Sequence, residues 1–290
     1  MPKHPEQTEQ PEVPLSQQPK KPLIDETAIA TQTKRDKGAE ATKRAEENTK
    51  IAAIREKLGL PPTFTDSLQP TNFDARNINL WKLKDDPTKL VRESRIKEGQ
   101  TLDELEKSIR EGESLFAEMH DKYGIRVVSM KSTREKNKEG NEAIFTLVDK
   151  IEGQNLSEIK ELPEEAKDEL ESLYLSLGQH YYDSWKQKLQ YWGDGRSDQF
   201  VYGAKHGEEI KHFYLTDVDP EFYREGDDKW RTIEAALGSV CHDLVENENK
   251  FKPKVRFQKA RDGLLKIINE MLKKNPDWNM LAEAKDWLES

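Results

Sequence analysis

One cysteine, Cys241, is present in 290 residues. That excludes an intrachain disulfide and any thiolate-rich zinc or iron–sulfur site. Among Val240, Leu244 and Val245, the residue reads as a small buried hydrophobe. Long apolar runs are also missing: nothing approaches the roughly 20 residues that span a bilayer, and Met1 to Lys21 holds no apolar signal core. Neither membrane insertion nor Sec export is expected, which leaves a cytoplasmic location. The six histidines include no short H-x-x-x-H pair, so His206 and His212 read as surface or core residues before metal ligands. Positive charge is in deficit. A net charge of -9 argues against broad nucleic-acid binding through a basic surface.

Apolar residues are scarce overall. With 36% charged against 34% hydrophobic residues and a mean hydropathy of -0.97, the chain is too polar to pack along its whole length. Residues 1–33 carry Pro2, Pro5, Pro11, Pro14, Pro19 and Pro22 among Gln, Glu and Lys and are expected to be a disordered tail. Residues 34–72 follow as a charged helix and linker, its thin apolar stripe ending at Ile51, Ala52, Ile54 and Leu58 before Pro61-Pro62.

A folded region is expected from about Phe73. Asn79 to Leu83 and Lys89 to Arg92, joined by the turn-forming Lys84-Asp85-Asp86-Pro87, predict a hairpin. Thr101-Leu102-Asp103-Glu104 is a capping box. Leu102, Leu105, Ile109, Phe116 and Met119 continue at helical spacing to Gly124, which stops the helix. Ile125 to Met130 and Ala143 to Ile151 read as two strands, with Lys131 to Asn141 as their exposed loop. Beyond Gly153 the pattern turns helical. Leu170, Leu173, Leu177, Tyr181 and Trp185 share one face, similar stripes run through Trp230 to Val245 and Val255 to Leu272, and a short helix follows Pro276. The chain therefore divides into a small β-rich lobe, residues 73–152, and a larger helical lobe, residues 153–290.

The chemistry-bearing segment is Trp192 to Pro220. Gln199 stands five residues after Asp194, and Asp217 ends an apolar run, with Asp219 two residues on. Gln199 to Tyr202 and His212 to Thr216 are rich in β-formers and flank a glycine-containing break, so a hairpin brings Gln199 and Asp217 together. An acidic group, an amide and a second acidic group in that order suit phosphoryl transfer: one orients the attacking hydroxyl, and the others hold a metal against the phosphate. The competing reading makes Asp194-Gly195 an ordinary turn and Asp217 and Asp219 caps. Cys241-His242-Asp243 is no triad, because consecutive helical residues point apart. Tyr181, Tyr182, Trp185, Tyr191 and Trp192 read as packing residues.

Element order and this motif together resemble the protein-kinase-like superfamily, over about residues 73 to 275 and closer to its small-molecule phosphotransferases. The resemblance implies an α+β bilobal protein-kinase-like fold with Mg²⁺ and ATP as cofactors. Asp194 in Trp192-Gly193-Asp194 would be the catalytic-loop Asp, Gln199 would replace the metal-binding Asn, and Asp217 would open the D-F-G position. Leu147 to Gly153, with Asp149 and Glu152, would be the strand and hinge along the adenine, with Lys89 or Arg92 as the nucleotide cation and Glu113 or Glu118 as its helical partner. No glycine-rich phosphate loop precedes Trp81, Trp192 replaces His, and D-F-G has become Asp217-Val218-Asp219. Two function classes stay open: a divergent Mg-ATP phosphotransferase with an unknown acceptor, and a catalytically inactive pseudokinase-like module that binds a nucleotide or protein partner. A third takes Asp217-Val218-Asp219 as the D-x-D metal site of a nucleotide-sugar transferase.

Overall fold

The computed structural model describes residues 69–70, 78–82, 86–94, 96, 99–136, 141–216 and 232–290, preceded by isolated helical positions at Thr49, Ala53, Glu56 and Lys57. The chain separates into units Met1–Glu46 and Glu47–Ser290, and all described residues belong to the second. The tail expected over residues 1–33, and Asp217 and Asp219, lie outside the described residues.

Among the described residues the architecture is mixed α+β, with two antiparallel sheets and five α-helices. The first sheet contains β1 (Gln69–Pro70), β2 (Ile78–Lys82), β3 (Lys89–Ser94), β4 (Met130–Lys136) and β5 (Glu142–Asp149), in the order β1-β2-β3-β5-β4. Between β3 and β4 runs α1 (Leu102–Tyr123). Thr101 accepts from the Glu104 backbone N–H while Glu104 bonds back to Thr101, and Gly124 closes the helix in the left-handed region at φ 69°. Leu102, Leu105 and Ile109 bury against Ile144 of β5, so α1 covers one face of this sheet.

The strand after α1 starts later than its sequence suggests. Ile125 to Val128 turns to the second sheet, where Val128 N–H donates to Leu215 O at 3.2 Å and Leu215 N–H to Arg126 O at 2.8 Å. The strand paired with β5 is Met130–Lys136, a stretch whose charges predict a loop. At a sheet edge such charges are tolerated, and they discourage pairing with another chain.

The second sheet is β6 (Ile151–Asn155), β7 (Phe200–Lys205) and β8 (His212–Leu215), in chain order. Gly153 and Gly203 face each other in the β6–β7 register. A Cβ on Gly153 would sit 2.2 Å from Tyr202 O, and one on Gly203 would sit 2.5 Å from Glu152 O. Both obstacles are backbone, so neither can rotate aside. Gly203→Val is expected to lower stability by about 1–3 kcal/mol through overpacking. Urea unfolding checks this, and an unchanged midpoint would show that the strands separate freely.

Four helices complete the fold: α2 (Lys167–Gln187), α3 (Ile233–Lys250), α4 (Gln258–Lys274) and α5 (Asn279–Glu289). α2 packs on α3 and α4, and both pack on α5. Leu170, Leu173, Leu177 and Tyr181 of α2 enter one continuous core with Val240, Leu244, Leu264, Ile268 and Leu281. Cys241 is fully buried in that core, and burial pushes its thiol pKa up.

Candidate functional site

The segment from Trp192 to Arg196 is irregular and runs into a 3-10 turn at Ser197–Gln199, and neighbouring elements hold it at both ends and in the middle. Trp192 is fully buried, edge-on to Phe200, and its backbone N–H donates to His180 Nε2 of α2 at 3.3 Å. Gly195 sits against α3: a Cβ there would lie 2.5 Å from Val240 Cγ2 and 3.1 Å from Tyr181 Oη. The Ser197 backbone N–H donates to the buried carboxylate of Asp243, also on α3. Asn155 Nδ2 donates to Asp198 O at 2.7 Å. Gln199 O accepts from Thr216 N–H at 3.0 Å and from Thr216 Oγ1 at 3.3 Å. Bonds from four elements to main-chain groups of the loop fix the course of its backbone.

Asp194 is 5% exposed. Arg196 grips it as a fork, Nε on Oδ1 and Nη2 on Oδ2, both at 2.7 Å. Hydrogen bonding to Asp194, and beyond it the charges of Asp198 and Asp243, drive the Arg196 pKa further up. Burial raises the Asp243 pKa, although the Ser197 N–H favours the carboxylate. Gln199 is 7% exposed, and its Nε2 donates to Asp198 Oδ1 at 2.9 Å. The hairpin thus brings Thr216, the residue before Asp217, onto Gln199. Asp217 and Asp219 themselves are outside the described residues.

Lys89 and Arg92 fall on opposite faces of β3, where alternation in the sequence leaves the choice open. Lys89 pairs with Asp149 at the end of β5, and Lys205 of β7 reaches the same carboxylate at 3.0 Å. Burial opposes ionisation of Asp149, but Lys89, Ser129 and Lys205 outweigh it and hold its pKa at about 2. Arg92 is cross-strand from Thr146 and so shares its face. That face meets α1: Ser132 Oγ lies 3.0 Å from Thr146 Oγ1 and donates to Glu113 Oε1 at 2.9 Å. The structure therefore brings Arg92 and Glu113 to one region, whereas Glu118 pairs with Lys122 on the surface at 3.7 Å. Glu152 faces outward, 3.5 Å from Lys150 and 3.8 Å from His206. His212 is taken up by Glu169 at 3.0 Å.

Arg196, Asp198, Asp243, Lys205 and His180 are site residues that the sequence did not single out. Arg196 and Asp198 lie inside the recognised motif and were open to inspection. Asp243 is 46 residues from the Ser197 it binds, and nothing local marks it. Among the described residues, His242, Asp243 and Glu246 place one donor atom each within 4.8 Å of one another. Asp243 is already committed to Ser197 there. A hard divalent cation suits the carboxylate and amide oxygens of Asp198 and Gln199. Searches against protein-family models and against curated proteins find no match to this chain.

Proposed function

We propose that the chain is a divergent protein-kinase-like module that binds a metal–nucleotide complex, with Mg²⁺ and ATP as the expected pair, and transfers a phosphoryl group to an acceptor. The observation that carries this reading is the anchored loop from Trp192 to Gln199, which ends beside Thr216 and so joins the Asp194 motif to the strand leading into Asp217. The sheet order β1-β2-β3-β5-β4 supports it, as does α1, which is inserted between β3 and β4 and covers the face that holds Arg92 and Thr146. In this reading Asp194 orients the acceptor hydroxyl and receives its proton. Asp217, with Gln199 and Asp219 as candidate helpers, holds the metal. Bound Mg²⁺ would neutralise charge on the phosphates. Arg92 and Glu113 are the pair on the nucleotide side.

A second reading, an inactive pseudokinase-like binding module, is favoured by the Arg196 fork. A carboxylate with both oxygens engaged is a poor receiver of a proton. Among the described residues no helix is long and apolar enough to cross a membrane.

Thermal shift with ATP, with and without Mg²⁺ or Mn²⁺, tests the binding step, because a ligand of the native state raises apparent stability. Asp217→Asn is expected to abolish the metal-dependent part of the shift. Asp194→Asn is expected to keep binding and to lose about 10²–10⁴-fold in turnover. Nucleotide binding without any turnover in the wild-type chain would select the second reading. No response to nucleotide under any metal would discard the first reading and leave the second as a module for a protein partner.

A further inference from the structure

Tyr182 and Trp185 lie on the outer side of α2, and Trp278 joins them from the turn before α5. All three rings are half-buried. Their centroids stand 5.7 Å and 6.3 Å apart in that order, with the ring planes inclined by 46° and 63°. Two of them already carry a cation: Lys186 Nζ lies 5.5 Å from the centre of the Tyr182 ring, and Lys274 Nζ lies 5.3 Å from that of Trp185. The sequence offers only Lys186 and Lys188 beside the α2 aromatics, but α4 packs on α2 and brings further lysines to the same surface.

The carboxylate of Glu270 shows how these charges are grouped. Tyr182 Oη donates to it. That bond, with the charges of Lys266, Lys186 and Lys273 around it, holds its pKa below the ordinary carboxylate range. Lys186, Lys266, Lys273 and Lys274 are all exposed, and they outnumber Glu270 and Asp277 there. The patch is therefore basic on a chain whose net charge is -9. Such a contrast directs an anionic partner to one place.

We infer that this face of α2 and α4, with its three aromatic rings and four lysines, is a docking surface for single-stranded nucleic acid. The inference is independent of the metal–nucleotide reading. Charge alone would suit an acidic peptide equally, and the rings decide between them. Bases are flat and stack on aromatic side chains, while the phosphates between them meet ammonium groups. The inclined rings suit the splayed bases of a single strand and not the parallel stack of a duplex. A membrane surface is better met by protruding apolar side chains, whereas these rings are recessed, with Leu189 the large apolar side chain exposed at that end of α2. Cation–π contacts at exposed sites are weak. A base can displace each ammonium from its ring and pass it to a neighbouring phosphate.

Fluorescence anisotropy of short labelled oligothymidylate and oligouridylate strands, titrated with the full chain at several salt concentrations, tests this. Binding is expected, and log K should fall with log salt by about 0.7 for each phosphate met. Lys266→Gln combined with Lys273→Gln changes only exposed side chains and is expected to flatten that slope by about 1.4. Trp185→Ala is expected to weaken binding about 5- to 150-fold, the worth of one stacked base, with the slope little changed. Trp185→Phe keeps a ring and should recover most of that loss. Absence of binding at low salt, a duplex bound as tightly as the single strand, or a wild-type slope in the lysine double variant overturns the assignment. Polyglutamate that displaces the strand and binds Trp185→Ala as well as wild type would make the face a site for acidic peptides. Phosphatidylserine vesicles that take up the chain when the strands do not would make it a membrane surface, and either result also overturns the assignment.

Discussion

Glu248→Ala is expected to lower the free energy of unfolding by about 3–5 kcal/mol, the cost of leaving one member of a buried ion pair alone. Glu248 and Arg261 join α3 to α4 out of solvent. Glu248 Oε2 accepts from Arg261 Nη2 at 2.6 Å and from Nε at 2.9 Å, while Oε1 accepts from the Phe257 backbone N–H at 2.5 Å. Arg261 Nη1 reaches on to Leu288 O at 2.5 Å and Trp287 O at 3.3 Å, carbonyls in the last turn of α5. Removing the glutamate strands a guanidinium among Leu264, Phe257 and Leu288 and frees an N–H at the start of α4. The same loss should lower Tm by roughly 2–4 °C for each kcal/mol. Arg261→Ala should cost a similar amount, and the double variant clearly less than the sum, because each single change leaves the other charge unpaired. Additive costs in urea unfolding would show that the two side chains act independently.

Acid is expected to weaken the protein through His180. The imidazole is buried in α2, and burial, reinforced by Lys122, pushes its pKa from 6.5 down to about 4. The geometry shows why charging it is costly: Nε2 accepts from Trp192 N–H, and a proton on Nε2 would set donor against donor. Between pH 6.5 and about 4 the unfolded chain binds the proton that the folded chain refuses. His180 thus contributes in full above pH 6.5, and that contribution disappears progressively as pH falls toward 4. At 1.36 kcal/mol per pH unit the whole loss is about 3 kcal/mol. His180→Gln keeps an acceptor for Trp192 without a titrating group, so its stability should vary less between those limits. Equal pH slopes in both proteins, measured by urea unfolding, would contradict the assignment. The Asp149 carboxylate acts lower. Held at about 2 against 3.8 unfolded, its stabilisation is present above pH 3.8 and disappears as pH falls through 2.

The parts of the fold that were legible in the sequence are those whose signals are local. Thr101 and Glu104 mark the start of α1, and Gly124 marks its end, within reach of their own backbone. The β7–β8 hairpin announces itself through two β-forming runs around a glycine break. β4 does not, because an edge strand facing solvent carries the lysines and arginine of a loop. The site divides the same way. Asp194 and Gln199 were visible as a spacing, but the contacts that decide their roles were not. Arg196 closing on Asp194, Gln199 turning toward Asp198, and Asp243 reaching the loop from α3 are all products of packing. Spacing names the residues near a site, while burial and hydrogen bonding decide which of them is free to meet a ligand.

The single carboxylate of Asp149 is bound by Lys89 from the first sheet and Lys205 from the second, and the chain passes between the sheets directly beside it at Lys150. One carboxylate therefore neutralises a lysine from each sheet, and removing it leaves Lys89 and Lys205 as neighbouring like charges across the sheet boundary.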